Sequence, residues 1–97
     1  MKNSKFDTME VKRTCQSKAK VKFRKGGKEQ NGPVYLGKVR VARVTVPKGR
    51  KPIPIKTYKA MARQLKLDIS EFDDFLECPL TTGEYFKLLG ERVTLPT

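Results

Sequence analysis

The side chains of this chain most able to do chemistry are its cations. Lys20, Lys22, Arg24 and Lys25 end one alternating run. Lys38, Arg40 and Arg43 lie in a second. Lys48, Arg50 and Lys51 crowd a Pro/Gly turn, and Lys59 follows in a helical pattern. Lys and Arg neutralise phosphates and release condensed counterions. An Arg can also pair through two N–H groups with a guanine edge. These residues form the candidate nucleic-acid-binding set.

Other chemistries find few residues. The chain has no His, which removes the commonest general base and metal ligand. Cys15 and Cys78 are far apart with no CxxC partner, and a structural zinc site needs about four ligands. We read them as two thiols of an intracellular chain rather than as a disulfide. Asp68, Glu71, Asp73, Asp74 and Glu77 could in principle hold Mg²⁺ for phosphodiester cleavage. At helical spacing such acids are more often a solvated face. There is no Gly-rich phosphate loop and no nucleophile elbow. The expectation is a protein that is not an enzyme and needs no metal or cofactor.

The charge is uneven. The 97 residues carry 22 Lys+Arg against 10 Asp+Glu, a net of +12. Residues 1–67 hold 20 of the cations with only Asp7, Glu10 and Glu29, a net of +17; residues 68–97 carry a net of −5. A one-sided basic segment repels itself unless an anion relieves it, so a polyanionic partner is expected. The longest uncharged stretch, residues 30–37, has eight residues, against roughly 20 for a spanning helix. No apolar run follows the early lysines, so we expect no signal peptide, no membrane partner and a cytoplasmic location.

These side chains need elements to position them. Residues 1–16 show no clear period and read as a flexible basic arm, with room for one short strand. Residues 17–97 read as one nucleic-acid-binding domain. In residues 18–24, Ala19, Val21 and Phe23 alternate with Lys18, Lys20, Lys22 and Arg24, the pattern of a half-buried strand. The turn-rich residues 25–33 read as a loop of about nine residues. Val34, Tyr35 and Leu36 resume a strand, Gly37 suggests a bend, and Val39 and Val41 alternate with Lys38 and Arg40. The phase then changes before Val44 and Val46. A β-bulge near Ala42 and Arg43 would restore one face and re-aim Arg43.

After the turn, Thr57 is a candidate N-cap. Tyr58, Met61, Ala62 and Leu65 recur at helical spacing. The acidic residues 68–97 read as a packing or dimerisation segment. In them, Ser70 with Asp73 suggests a capped helix carrying Phe72, Phe75 and Leu76, ended by Pro79. Thr81 or Thr82 can cap a last helix ending at Gly90, and Val93, Thr94 and Leu95 suggest a closing strand. The fold class is α+β: a basic antiparallel β-ribbon or small sheet, an amphipathic helix, and a short acidic C-terminal region, helical or hairpin. Phe23 and Tyr58 read as core, which leaves Tyr35 for base stacking.

Residues 41–67 resemble the AbrB-type, SpoVT-like swapped-hairpin DNA-binding regulators. The string Ala42-Arg43-Val44-Thr45-Val46-Pro47-Lys48-Gly49-Arg50-Lys51-Pro52-Ile53-Pro54-Ile55 carries the likeness, with Leu65-Lys66-Leu67 ending the helix. The resemblance implies an interleaved homodimer gripping DNA, with Arg43, Arg50 and Lys59 at DNA-contacting positions. It also implies a hairpin after the helix, which residues 74–88 could supply. Residues 62–76 alternatively resemble a helix-turn-helix core, but its second helix would present Glu71, Asp73, Asp74 and Glu77 to phosphate.

The sequence thus predicts a homodimeric protein that binds double-stranded DNA and regulates transcription. Two alternatives stand beside it. One is an RNA- or single-stranded-DNA-binding protein. The other is a small viral or plasmid-encoded effector that meets a host protein through its acidic, aromatic C-terminal third.

Overall fold

In the computed structural model, which describes residues 2–26, 29–77 and 79–93, the chain is α+β. Helix α1 (Thr8–Lys18) precedes a sheet of β1 (Arg24–Gly26), β2 (Glu29–Leu36) and β3 (Val39–Pro47). Helices α2 (Ile55–Gln64), α3 (Ile69–Glu77) and α4 (Thr82–Arg92) follow. The strands run antiparallel in the order β1-β2-β3.

The flexible arm expected over residues 1–16 is corrected: most of it is α1. Asp7 accepts from the Glu10 backbone N–H at 2.9 Å, and the Glu10 carboxylate accepts from the Asp7 N–H at 3.4 Å, a complete capping box. Val11 and Cys15, four apart, are fully buried. The start of α1 is also tied to the segment after β3. The Thr8 hydroxyl donates to the Gly49 carbonyl at 2.5 Å and accepts from the Lys51 N–H at 3.0 Å. α1 therefore belongs to the same core as the sheet.

The strand expected over residues 18–24 is corrected as well. Ala19, Val21 and Phe23 do turn inward, while Lys20, Lys22 and Arg24 are exposed. Yet residues 18–21 are a helix end and its reversal: Lys20 has φ 56° and the Val21 N–H reaches the Cys15 carbonyl. The ladder begins only at Arg24. The nine-residue loop is replaced by two short connections. Gly26 pairs with Glu29, with residues 27–28 between them outside the described residues, and Leu36 pairs with Val39 across Gly37 and Lys38. Gly37 has φ 66°, the first-position conformation of a tight hairpin turn.

Gly32 and Pro33, read as turn residues, lie inside β2. A Cβ at Gly32 would sit 2.1 Å from Val21 Cγ1, so only glycine leaves Val21 its place. Pro33 falls beyond the end of β1, where β2 is a free edge and a missing N–H breaks no ladder. The expected bulge exists, one residue earlier than Ala42. Val34 pairs with Ala42 but Tyr35 pairs with Arg40, so Val41 is the extra residue.

Helix α2 starts after Pro54, without a side-chain cap, so Thr57 lies in its first turn rather than at its cap. Tyr58, Met61, Ala62 and Leu65 are buried as their spacing implies. The helix closes in a Schellman motif, with Leu67 N–H to the Ala62 carbonyl, Lys66 N–H to the Arg63 carbonyl, and Lys66 at φ 64°. Asp68, not Ser70, begins α3 through reciprocal bonds with Glu71 at 2.8 and 2.9 Å. Thr81 and Glu84 form the same box for α4. Gly90 lies within α4, facing Leu36, rather than after it. The C-terminal region is therefore helical, and the hairpin reading of residues 74–88 does not hold. Of the suggested closing strand, Val93 is the C-cap of α4 and Thr94 and Leu95 lie outside the described residues.

The core lies between the sheet's inner face and the helices. Val34, Val44 and Val46 meet Val11, Tyr58, Leu65 and Leu89 there. Tyr58, Phe72, Phe75 and Tyr85 form a chain of ring contacts with centroids 4.7, 6.3 and 5.2 Å apart. The Lys18 ammonium donates to the Phe75 and Leu80 carbonyls at 2.7 and 2.8 Å, closing the C-terminal end of α3. Among the described residues no helix is long and apolar enough to cross a membrane.

Candidate nucleic-acid interface

The sheet has one face in the core and one outside it. Side chains alternate along β2, so Asn31, Pro33 and Tyr35 leave on the side opposite Gly32 and Val34. Direct pairing places Arg24 beside Asn31, Arg43 beside Pro33 and Arg40 beside Tyr35. Arg40 and Arg43 are three residues apart, and a regular strand would aim them at opposite faces. The bulge at Val41 brings both to the outer face. Arg24, Tyr35, Arg40 and Arg43 are all exposed there.

Two shallow clefts mark this face. One, about 210 Å³, is lined by Arg24, Pro33, Tyr35, Arg40 and Arg43 among others. The second, about 410 Å³, lies toward residues 20–23 and adds Lys20, Lys22 and Phe23 to the shared Arg24, Pro33 and Tyr35. Among the described residues, neither cleft has an acidic residue in its lining.

Four carboxylates are engaged elsewhere in the fold. Asp7 pairs with Arg50 at 2.7 Å. Its carboxyl is held below the ordinary value, first by the Glu10 backbone N–H and then by Arg50. Glu71 takes both guanidinium nitrogens of Arg92 at 2.6 and 2.5 Å, which lowers its pKa. Glu77 pairs with Lys2 and, at 3.5 Å, with Lys5, and its pKa is lowered chiefly by Lys2. Asp73 is buried and accepts from the Tyr58 hydroxyl and the Lys2 backbone N–H. Burial, then Asp73, pushes the Tyr58 phenol up. Among the described residues, none of Lys20, Lys22, Arg24, Arg40 and Arg43 takes part in a salt bridge.

The eleven cations singled out in the sequence therefore separate. Lys20, Lys22, Arg24, Arg40 and Arg43 converge on the open face. Lys38 is exposed in the turn of the β2–β3 hairpin, and Lys25 is the middle residue of β1, opposite Gln30. Lys48, Arg50 and Lys51 belong to the segment between β3 and α2, and Lys59 is exposed on α2. Arg50 is anchored to the N-cap of α1. Sequence reasoning missed Asn31 and Pro33 as parts of this face, because it placed them in a loop. It also missed Lys56, exposed on α2 with Lys59 and Arg63 at positions i, i+3 and i+7.

The other candidate surfaces are weaker. Phe72, Phe75 and Tyr85 are fully buried, so these aromatics of the acidic third line the core. Cys15 is an unpaired, buried thiol with a pKa pushed up to about 12 by desolvation; Cys78 lies outside the described residues. Among the described residues no group of three or more His, Cys, Asp or Glu is placed to hold a metal ion. Compared with protein-family models, with curated proteins and with solved structures, the chain matches none.

Proposed function

We propose that this protein binds nucleic acid through the outer face of its sheet, and acts by binding rather than by catalysis. The observation that carries this reading is the convergence of five cations without carboxylate partners around Tyr35. Fixing like charges on one rigid face is unfavourable unless an anion meets them. A chain of phosphates at regular spacing is such an anion, and it releases counterions on binding.

A homodimer on duplex DNA, regulating transcription, is a second reading. One observation favours the duplex as its ligand. Beyond the end of β1, the hairpin of β2 and β3 is only two strands wide, and a two-stranded ribbon fits a major groove about 12 Å wide. Arg43 would then read a base edge, while Arg50 is held by Asp7.

A salt titration of affinity, run in parallel on duplex DNA, single-stranded DNA and RNA, tests the proposal. Affinity for at least one ligand should fall steeply with salt, and Arg40→Ala with Arg43→Ala should weaken it. Binding unaffected by salt, or by the double substitution, would overturn the assignment of this face.

A further inference from the structure

We propose that Tyr35 is a stacking platform for an unpaired nucleobase, and that the preferred ligand is a single strand rather than a duplex; this rests on the nucleic-acid reading above. Tyr35 is 49% exposed, one of two large hydrophobic side chains so exposed among the described residues. Its neighbour along β2, Val34, is fully buried on the opposite face. The ring makes no hydrogen bond or ring contact among the described residues.

Its position is what gives the exposure a purpose. Tyr35 lines both clefts of the outer face. Toward β3 it has Arg40 directly across the ladder, and toward residues 20–23 it has Lys20 and Lys22. A base laid on the ring thus has cations on both sides, where the flanking phosphates of an extended strand would run. Aromatic stacking with a basic track on either side is the chemistry of single-strand recognition. A duplex keeps its base faces inside the stack and would use the cations while leaving the ring idle.

The test uses the whole chain and labelled single strands of DNA and of RNA, each about 12 nucleotides, within the usual site size, with a duplex of the same length. At least one single strand should bind more tightly than the duplex. Tyr35→Ala should weaken single-strand binding about 5- to 100-fold, and Tyr35→Phe, which keeps the ring, should stay within about twofold. Because the chain has no Trp, Tyr35→Trp adds a lone reporter whose fluorescence a stacked base should quench. Unchanged single-strand binding by Tyr35→Ala, or a preference for duplex, would overturn the stacking proposal while leaving nucleic-acid binding in place. Loss of salt-dependent binding to all three ligands would instead remove the reading on which it rests.

Discussion

Val34 and Tyr35 are adjacent in β2; one is fully buried and the other is 49% exposed. The same division runs across the sheet. The inner face is Gly32, Val34, Val44 and Val46, packed against the helices. The outer face is Arg24, Arg40 and Arg43 around Tyr35, without an acid in its clefts. Two groups among the cations of this chain differ accordingly. Lys2, Lys5, Arg50 and Arg92 are matched by Glu77, Asp7 and Glu71 and hold termini and loops to the core. Among the described residues, the cations of the outer face make no salt bridge and no side-chain hydrogen bond. Substitutions on the two sides should accordingly separate stability from binding.

The largest expected effect lies on the inner face. Gly32→Ala drives a methyl into Val21 and should cost about 1–3 kcal/mol, the usual range for overpacking, read as a lower urea midpoint. If stability is unchanged, the packing of residues 20–23 over β2 is wrong.

Two lysines with positive φ, one on each side, sharpen the comparison. Lys66 closes α2 and Lys20 borders the outer clefts. Glycine at either position should raise stability by about 0.5–1 kcal/mol, because the left-handed conformation is unstrained for it. Lys66→Gly should leave nucleic-acid affinity unchanged, and Lys20→Gly should weaken it. Equal affinities for the two variants would deny Lys20 a place in the site.

Acid should act on the paired side. The carboxyls of Asp7, Glu71 and Glu77 have folded pKa values below their ordinary values. Their contribution is complete above the unfolded pKa of about 4 and disappears as pH falls through the lower folded values. The urea midpoint should be level from neutrality to about pH 5 and fall below about pH 4. A midpoint that rises on acidification would contradict these pairings.

The smallest expected effect on stability is on the outer face. Arg40→Ala and Arg43→Ala together should shift unfolding by no more than about 0.5 kcal/mol, as exposed side chains without partners do.

Much of this division was legible in the sequence, for identifiable reasons. The phase change between Val41 and Val44 disclosed a bulge, because alternation is strict wherever one face is buried. It did not disclose which residue is extra, since that depends on the facing strand. Ala19, Val21 and Phe23 gave the right inward residues in the wrong element: alternation cannot distinguish a strand from a helix end whose Lys20 reverses the chain. Helix α1 was hidden by its few apolar residues, although Asp7 and Glu10 stood at capping-box spacing. Gly32 and Pro33 look like turn residues locally, and only Val21 and the end of β1 explain them inside a strand. The pairing of Arg50 with Asp7 crosses 43 positions, so no local pattern could remove Arg50 from the unpaired set.

The central claim is that the unpaired cations of the outer face meet phosphates. The most direct measurement is the slope of log affinity against log salt for a single strand, taken on the wild-type chain and on the Arg40→Ala/Arg43→Ala variant. Each phosphate contact contributes about 0.7 to that slope. We expect a steep slope for the wild type and one shallower by about 1.4 in the variant, if each arginine meets one phosphate. Identical slopes in the two proteins would contradict the account.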